Sequence, residues 1–101
     1  MDIQMKRGLL EVCVLASIKD KESYGYEIVK TIKPHIEISE STLYPILRRL
    51  EEGEMLKVRS AEHNGRLRKY YSITNSGIQK IELFKAQWKE IVSIYRFITE
   101  G

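Results

Sequence analysis

The chain has 101 residues, of which 43% are hydrophobic and 31% charged, with a formal net charge of +3. A chain of this length folds as one domain with a modest core, and its composition excludes intrinsic disorder. Its single cysteine, Cys13, excludes an intramolecular disulfide, and the lack of a signal peptide or a long apolar run predicts a cytoplasmic protein without membrane contacts.

The first predicted helix runs from about Met5 to Lys19 and is apolar around its whole circumference. Eight of the ten residues from Leu9 to Ile18 are apolar. A helix with this pattern needs cover on every side, which one small domain hardly supplies, so we expect a second subunit to contact it. We assign Leu9, Leu10 and Cys13 to that interface.

Two further helices are predicted to follow with the spacing of a helix-turn-helix. A polar break at Asp20–Gly25 precedes the second helix, for which Ser23 is the predicted N-cap and Pro34 the stop. The third helix is predicted from Glu40 to Glu52, with Gly53 in the left-handed position that ends many helices.

The third helix combines an apolar stripe with an exposed face that fits a DNA major groove. The residues of the stripe are Leu43, Ile46, Leu47 and Leu50. The opposite side carries hydroxyls, an aromatic ring and arginines, the groups that bind phosphates and base edges. The alternative is a merely solvated amphipathic helix. The predicted DNA contacts are Ser41, Thr42, Tyr44, Pro45, Arg48 and Arg49.

Two strand-like segments, Met55–Glu62 and Leu67–Ile73, flank the tetrapeptide His63–Arg66. The Asn-Gly pair at its centre predicts a type I′ hairpin turn, because both positions take positive φ. From Lys57 to Lys69 five Lys or Arg residues stand against one acidic residue. A basic hairpin after a recognition helix is typical of a DNA-binding wing, although alone it is equally a soluble surface ribbon. The predicted wing contacts are Asn64, Gly65, Arg66, Arg68 and Lys69.

The last predicted helix follows Thr74, runs to about Thr99 and carries an apolar seam at heptad spacing. Such a seam is often an internal core stripe, but a helix this long would overhang so small a body, which favours a homodimer. Trp88 in the middle of the seam is interpreted first as a packing anchor of the dimer, and the alternative is that paired Trp88 rings at the dimer axis line a pocket for a flat aromatic effector. The seam residues assigned to the interface are Ile81, Phe84, Trp88, Ile91, Tyr95 and Ile98.

The predicted fold is mainly α with a small β-hairpin: a winged helix-turn-helix over residues 1–74 and a C-terminal dimerisation helix over residues 75–101. Three segments, Tyr24–Ile28, Ser41–Gly53 and Arg68–Thr74, resemble the signature of PadR-type transcriptional regulators. The resemblance implies a homodimeric repressor and adds Tyr24 to the DNA contacts on the third helix and the wing. The single short C-terminal helix is similar to the smaller subfamily, whose multidrug-sensing members carry a tryptophan where Trp88 stands.

Together these features predict a sequence-specific regulator that binds a pseudo-palindromic operator in double-stranded DNA as a homodimer. A small hydrophobic or aromatic effector is expected to release it. The alternative is a winged-helix module that docks another protein without binding DNA. Enzyme, cofactor and metal functions are not expected, because His35 and His63 are isolated and no nucleotide loop or hydrolase motif is present. Apolar surroundings also disfavour a redox role for Cys13.

Overall fold

The computed structural model describes all 101 residues as four helices and one two-stranded sheet. In chain order the elements are α1 (Ile3–Ser17), α2 (Gly25–Ile32), α3 (Glu40–Glu52), β1 (Leu56–His63), β2 (Arg66–Ile73) and α4 (Asn75–Glu100). This order confirms the predicted winged helix-turn-helix with an added C-terminal helix. None of the helices is both long and apolar enough to cross a bilayer.

One hydrophobic core of 14 buried residues joins all six elements. Its centre lies where α1, α2 and α3 meet, with Leu15, Ile28 and Leu43 almost completely buried. Leu56 and Tyr71 attach the hairpin to the same core. Because the apolar stripe of α3 is taken up by this packing, its other side remains on the surface of the protein.

The ends of α3 are fixed by local hydrogen bonds. Ser39 is the N-cap, since its Oγ accepts a hydrogen bond from the Thr42 backbone N–H at 3.3 Å. Pro45 lies inside the helix with its ring exposed, as predicted. The predicted left-handed role of Gly53 is wrong, because its φ is −83° and Glu54 takes the left-handed conformation at φ 59°. The turn comes one residue later because the hydrogen bonds that end the helix run from the backbone N–H groups of Glu54 and Met55 to the carbonyl oxygens of Glu51 and Leu50.

The start of α2 differs from the prediction. Tyr24, and not Ser23, occupies the N-cap position, and no side chain caps this helix. Ser23 instead pairs with Tyr71 through two backbone hydrogen bonds of 3.0 and 2.7 Å. Backbone groups along the free edge of a strand need partners, and this bridge supplies them at the base of the hairpin.

The hairpin follows the prediction closely. Asn64 and Gly65 have φ values of 54° and 79°, as a two-residue turn with positive φ at both positions requires. His63 pairs with Arg66, so each strand extends one residue further toward the turn than expected. Of the two neighbouring tyrosines in β2, Tyr71 is buried in the core, whereas Tyr70, on the opposite face of the strand, is half-buried.

The first turns of α4 pack against α1, and this changes the assignment of two residues. Leu10 and Ile81, predicted to lie in a dimer interface, are only 4% and 7% exposed and belong to the core of the single chain. They are therefore not available to a partner. The whole helix has 26 residues and is about 39 Å long, so its C-terminal part extends beyond this contact.

Gly77 lies where α4 leaves the hairpin, and we expect Gly77→Ala to lower the free energy of unfolding by about 1–3 kcal/mol. An added Cβ would overlap the Met55 carbonyl oxygen and lie 2.6 Å from Ile73 Cγ1. Gly8→Ala is the matched control, because nothing lies within 4 Å of its Cβ position. Urea unfolding followed by circular dichroism measures both variants, and equal stabilities would contradict the packing described.

Candidate nucleic-acid interface

A groove of about 690 Å³ separates the wing, formed by β1, β2 and their turn, from α3 and the N-terminus of α2. It brings together side chains that are far apart in the sequence. The predicted DNA contacts that line it are Tyr24, Tyr44, Asn64, Arg66, Arg68 and Lys69. We call it the wing-side groove.

From α3, Glu40 and Tyr44 line this groove. Ser41, Thr42, Pro45 and Arg48 are also exposed on α3 but do not line the groove. Of these, Arg48 is the one charged side chain, and none of the four ion pairs of the protein includes it. Its guanidinium group is therefore free to donate hydrogen bonds to an external acceptor.

Arg49 is placed differently from the other predicted contacts. Its Nε lies 3.4 Å from Glu11 Oε2, and the other oxygen of that carboxylate lies 3.7 Å from Lys80 Nζ. The carboxylate thus links α1, α3 and α4. Arg49 turns toward α1 because it lies on the flank of α3 that packs beside that helix. Its charge is therefore partly balanced within the chain by Glu11.

The wing is braced against the entry to α2 by alternating cations and aromatic rings. The guanidinium carbon of Arg68 lies 3.9 Å from the ring centroid of Tyr24, and that of Arg59 lies 4.7 Å from the ring of Tyr70. The two tyrosine rings meet edge to face with centroids 6.0 Å apart. Cations over aromatic faces are attracted by the ring quadrupole, so the stack holds the wing in place. Arg68, predicted to bind phosphate, also has this internal role.

Glu22 terminates this stack. Its carboxylate accepts hydrogen bonds from both Nε and Nη2 of Arg59, and the Nε bond measures 2.9 Å. These hydrogen bonds lower the pKa of the Glu22 carboxyl from its ordinary value. Sequence reasoning did not identify the pair, because it depends on the register of the wing against the loop before α2.

Tyr26 is a surface residue of the wing-side groove that sequence reasoning missed. Its side chain is 62% exposed and lines the groove together with Tyr24, on the other side of Gly25. The spacing of the two tyrosines was visible in the sequence. Only the fold shows that both reach the same groove.

A second, apolar groove of about 310 Å³ lies between α1 and α4, away from the wing. Among its lining residues are Leu9, Phe84, Trp88 and Ile91 from the predicted interface. The rings of Phe84 and Trp88 stack with centroids 5.9 Å apart. Cys13, on α1, is half-buried, and burial raises the pKa of its thiol.

Residues 14–83 of the chain match the model of the PadR-like family of transcriptional regulators. The chain belongs to this family. Two solved structures support the membership across nearly the whole PadR-like chain. Protein smu.1704 from Streptococcus mutans is 41% identical, with 94% of this chain and 90% of that chain covered and a TM-score of 0.82. A PadR family regulator from Eggerthella lenta is 32% identical, with 98% and 88% covered and a TM-score of 0.85.

The family consists of transcriptional regulators and not of enzymes, which agrees with the prediction from the sequence. Bacillus subtilis PadR, solved in complex with operator DNA, shares the fold with a TM-score of 0.71. It is 23% identical to this PadR-like chain, and 75% of this chain and 46% of that chain are covered. At this identity the likeness concerns the winged-helix fold alone.

Proposed function

We propose that this PadR-like regulator binds a pseudo-palindromic operator in double-stranded DNA as a homodimer and represses transcription from it. The observation that carries the proposal is the wing-side groove, which Tyr44 of α3 lines together with Arg66, Arg68 and Lys69 of the basic wing. A recognition helix beside a basic wing fits a major groove with its flanking backbone. The operator complex of Bacillus subtilis PadR, which has the same fold, supports the proposal. A regulator of chromosomal genes works in the cytoplasm, so we propose a cytoplasmic location for it.

Cations that can bind DNA lie on both elements that flank the groove, and Glu40 is the one acidic residue in its lining. Arg48 projects from α3, while Arg66 and Lys69 line the wing, and none of the three forms an ion pair within the chain. Cations on the wing bind phosphates irrespective of sequence, whereas an arginine on the recognition helix donates to base edges. Affinity and sequence discrimination are therefore assigned to different elements of the same surface.

The homodimer is supported by the exposure of the α4 seam. Exposure rises along the helix from 43% at Trp88 through 48% at Ile91 to 71% at Ile98. A contiguous apolar surface of this kind marks an interaction site. A second copy related by a twofold axis covers it with the same residues, and the two α3 helices then reach half-sites about one helical turn apart.

Release by a flat hydrophobic or aromatic effector is a further part of the proposal. The stacked rings of Phe84 and Trp88 line the apolar groove between α1 and α4, next to the surface assigned to the partner. An effector seated there binds one arrangement of the two subunits in preference to the other and shifts the population of dimers. Trp88 is the only tryptophan. Planar aromatic compounds can therefore be titrated while the Trp88 fluorescence is measured. A fluorescence that none of them changes would count against this effector site.

A gel shift with the region upstream of the regulator's own gene tests the proposal. We expect a discrete complex that survives an excess of scrambled duplex of equal length. Binding to neither duplex would instead favour the alternative, a winged-helix module that docks another protein. Footprinting of the complex is expected to show two protected half-sites, since each subunit contributes one α3 helix.

Gly25→Ala tests the role of Tyr44 in the groove. An added Cβ would lie 2.7 Å from Tyr44 Oη, the mobile end of a side chain, so we expect the tyrosine to move while the fold persists. DNA affinity should fall roughly 3- to 10-fold, the equivalent of one hydrogen bond. Anisotropy titrations measure the affinity. If Tyr44→Phe binds as weakly as Gly25→Ala, the lost hydroxyl contact explains both; unchanged binding by both variants would exclude Tyr44 as a contact.

A further inference from the structure

A third groove, of about 430 Å³, flanks α3 on the side opposite the wing. We call it the α1-side groove, because the N-terminal half of α1 forms its other wall. Thr42 and Pro45 contribute from α3, and Lys6 and Arg7 contribute from α1. The two basic side chains therefore stand beside the exposed face of the recognition helix, although sequence reasoning gave them no role.

The α1-side groove carries positive charge without internal neutralisation. No acidic residue lines it, and neither Lys6 nor Arg7 takes part in any of the four ion pairs. Arg49, at the same groove, differs because Glu11 holds it. Two unpaired cations at a surface without acids provide a site for an anion.

The geometry of a duplex identifies that anion. The major groove is about 12 Å wide, and a helix with its side chains is about 10–12 Å across. A recognition helix in the groove thus has one phosphate backbone on each side. The wing, with Arg66 and Lys69, lies on one side of α3, and the α1-side groove lies on the other.

We propose that Lys6 and Arg7 bind backbone phosphates of the DNA strand on the side of α3 away from the wing. The N-terminal half of α1 and the wing then hold the two backbones that border the major groove. This inference rests on the proposed DNA-binding function. Dimerisation does not block this phosphate contact. The α1 residues that line the apolar groove toward α4 are Met5, Leu9 and Val12, and they lie on a different face of α1 from Lys6 and Arg7.

The test compares Lys6→Ala/Arg7→Ala with Lys19→Ala/Lys21→Ala, which removes the same charge from exposed residues in the loop that follows α1. Anisotropy titrations use a duplex from the upstream region and a scrambled duplex at several salt concentrations. Each lost phosphate contact lowers the slope of log affinity against log salt by about 0.9, so we expect a decrease of about 2 per subunit for the first variant. Affinity for both duplexes should fall by the same factor, whereas the control variant keeps the wild-type slope.

The outcomes separate this inference from the proposed function. Wild-type protein that binds DNA, with an unchanged salt slope in the Lys6→Ala/Arg7→Ala variant, overturns the inference and leaves the function intact. An equal decrease in the control variant also overturns it, since the effect would then reflect total charge. Wild-type protein that binds neither duplex overturns both. Circular dichroism melts of the variants are expected to match the wild type, because Arg7, Lys19 and Lys21 are exposed and Lys6 is only half-buried.

Discussion

Replacement of Arg48 by alanine is expected to remove about 1–3 kcal/mol of discrimination between the operator and random DNA at each half-site. Arg48 is exposed on α3 and pairs with no acidic residue, so its two donor groups are available to the edge of a guanine. A dimer presents the residue twice, which makes this the largest functional effect that we expect of a single substitution. Anisotropy titrations on the operator and on a scrambled duplex of equal length measure it.

Lys69→Ala is the matched comparison for Arg48→Ala. Lys69 lies on the wing, where a phosphate contact is independent of sequence. Its removal should weaken binding to both duplexes equally and reduce the salt slope by about one. If Arg48→Ala also loses equal affinity for operator and random DNA, the division between a reading helix and a backbone-binding wing is wrong.

Trp88→Ala is expected to dissociate the homodimer at micromolar concentration. A buried tryptophan at the centre of an interface typically contributes about 2 kcal/mol or more, and twofold symmetry presents it twice. A loss of about 4 kcal/mol corresponds to a dimer dissociation constant roughly a thousandfold higher. In the isolated subunit Trp88 is 43% exposed and packs mainly on Phe84, so its removal should change the fold of the subunit little.

Sedimentation velocity measures this prediction, with Phe97→Ala as control. Phe97 is also an exposed aromatic residue of α4. It lies nine residues after Trp88, and because each residue turns the helix by about 100°, it projects from the opposite face. We expect the control to remain dimeric. A wild-type protein that sediments as a single subunit would refute the homodimer, and a Trp88→Ala variant as dimeric as the wild type would move the interface elsewhere.

The local patterns of the sequence were sufficient to predict the order and type of every element. The apolar residues of α3 recur with the period of a helix, and all four of them are buried in the structure. Asn64-Gly65 predicted the hairpin turn, because few other pairs tolerate positive φ at both positions. The motifs at Tyr24–Ile28, Ser41–Gly53 and Arg68–Thr74 indicated the family that the match over residues 14–83 confirms. Which of these side chains contact DNA stays a prediction.

What the sequence by itself determined is therefore the set of elements, their inner faces and the family, since periodicity, turn chemistry and motif spacing act within one segment. The tertiary structure alone decided which segments meet. It pairs Arg49 with Glu11, sets the guanidinium group of Arg68 over the ring of Tyr24, and buries Leu10 in the core of a single chain. It also set Lys6 and Arg7 beside α3. Neighbouring helical positions differ by about 100° in direction, so a small rotation of one helix against another changes every such pairing, and no local pattern specifies that rotation.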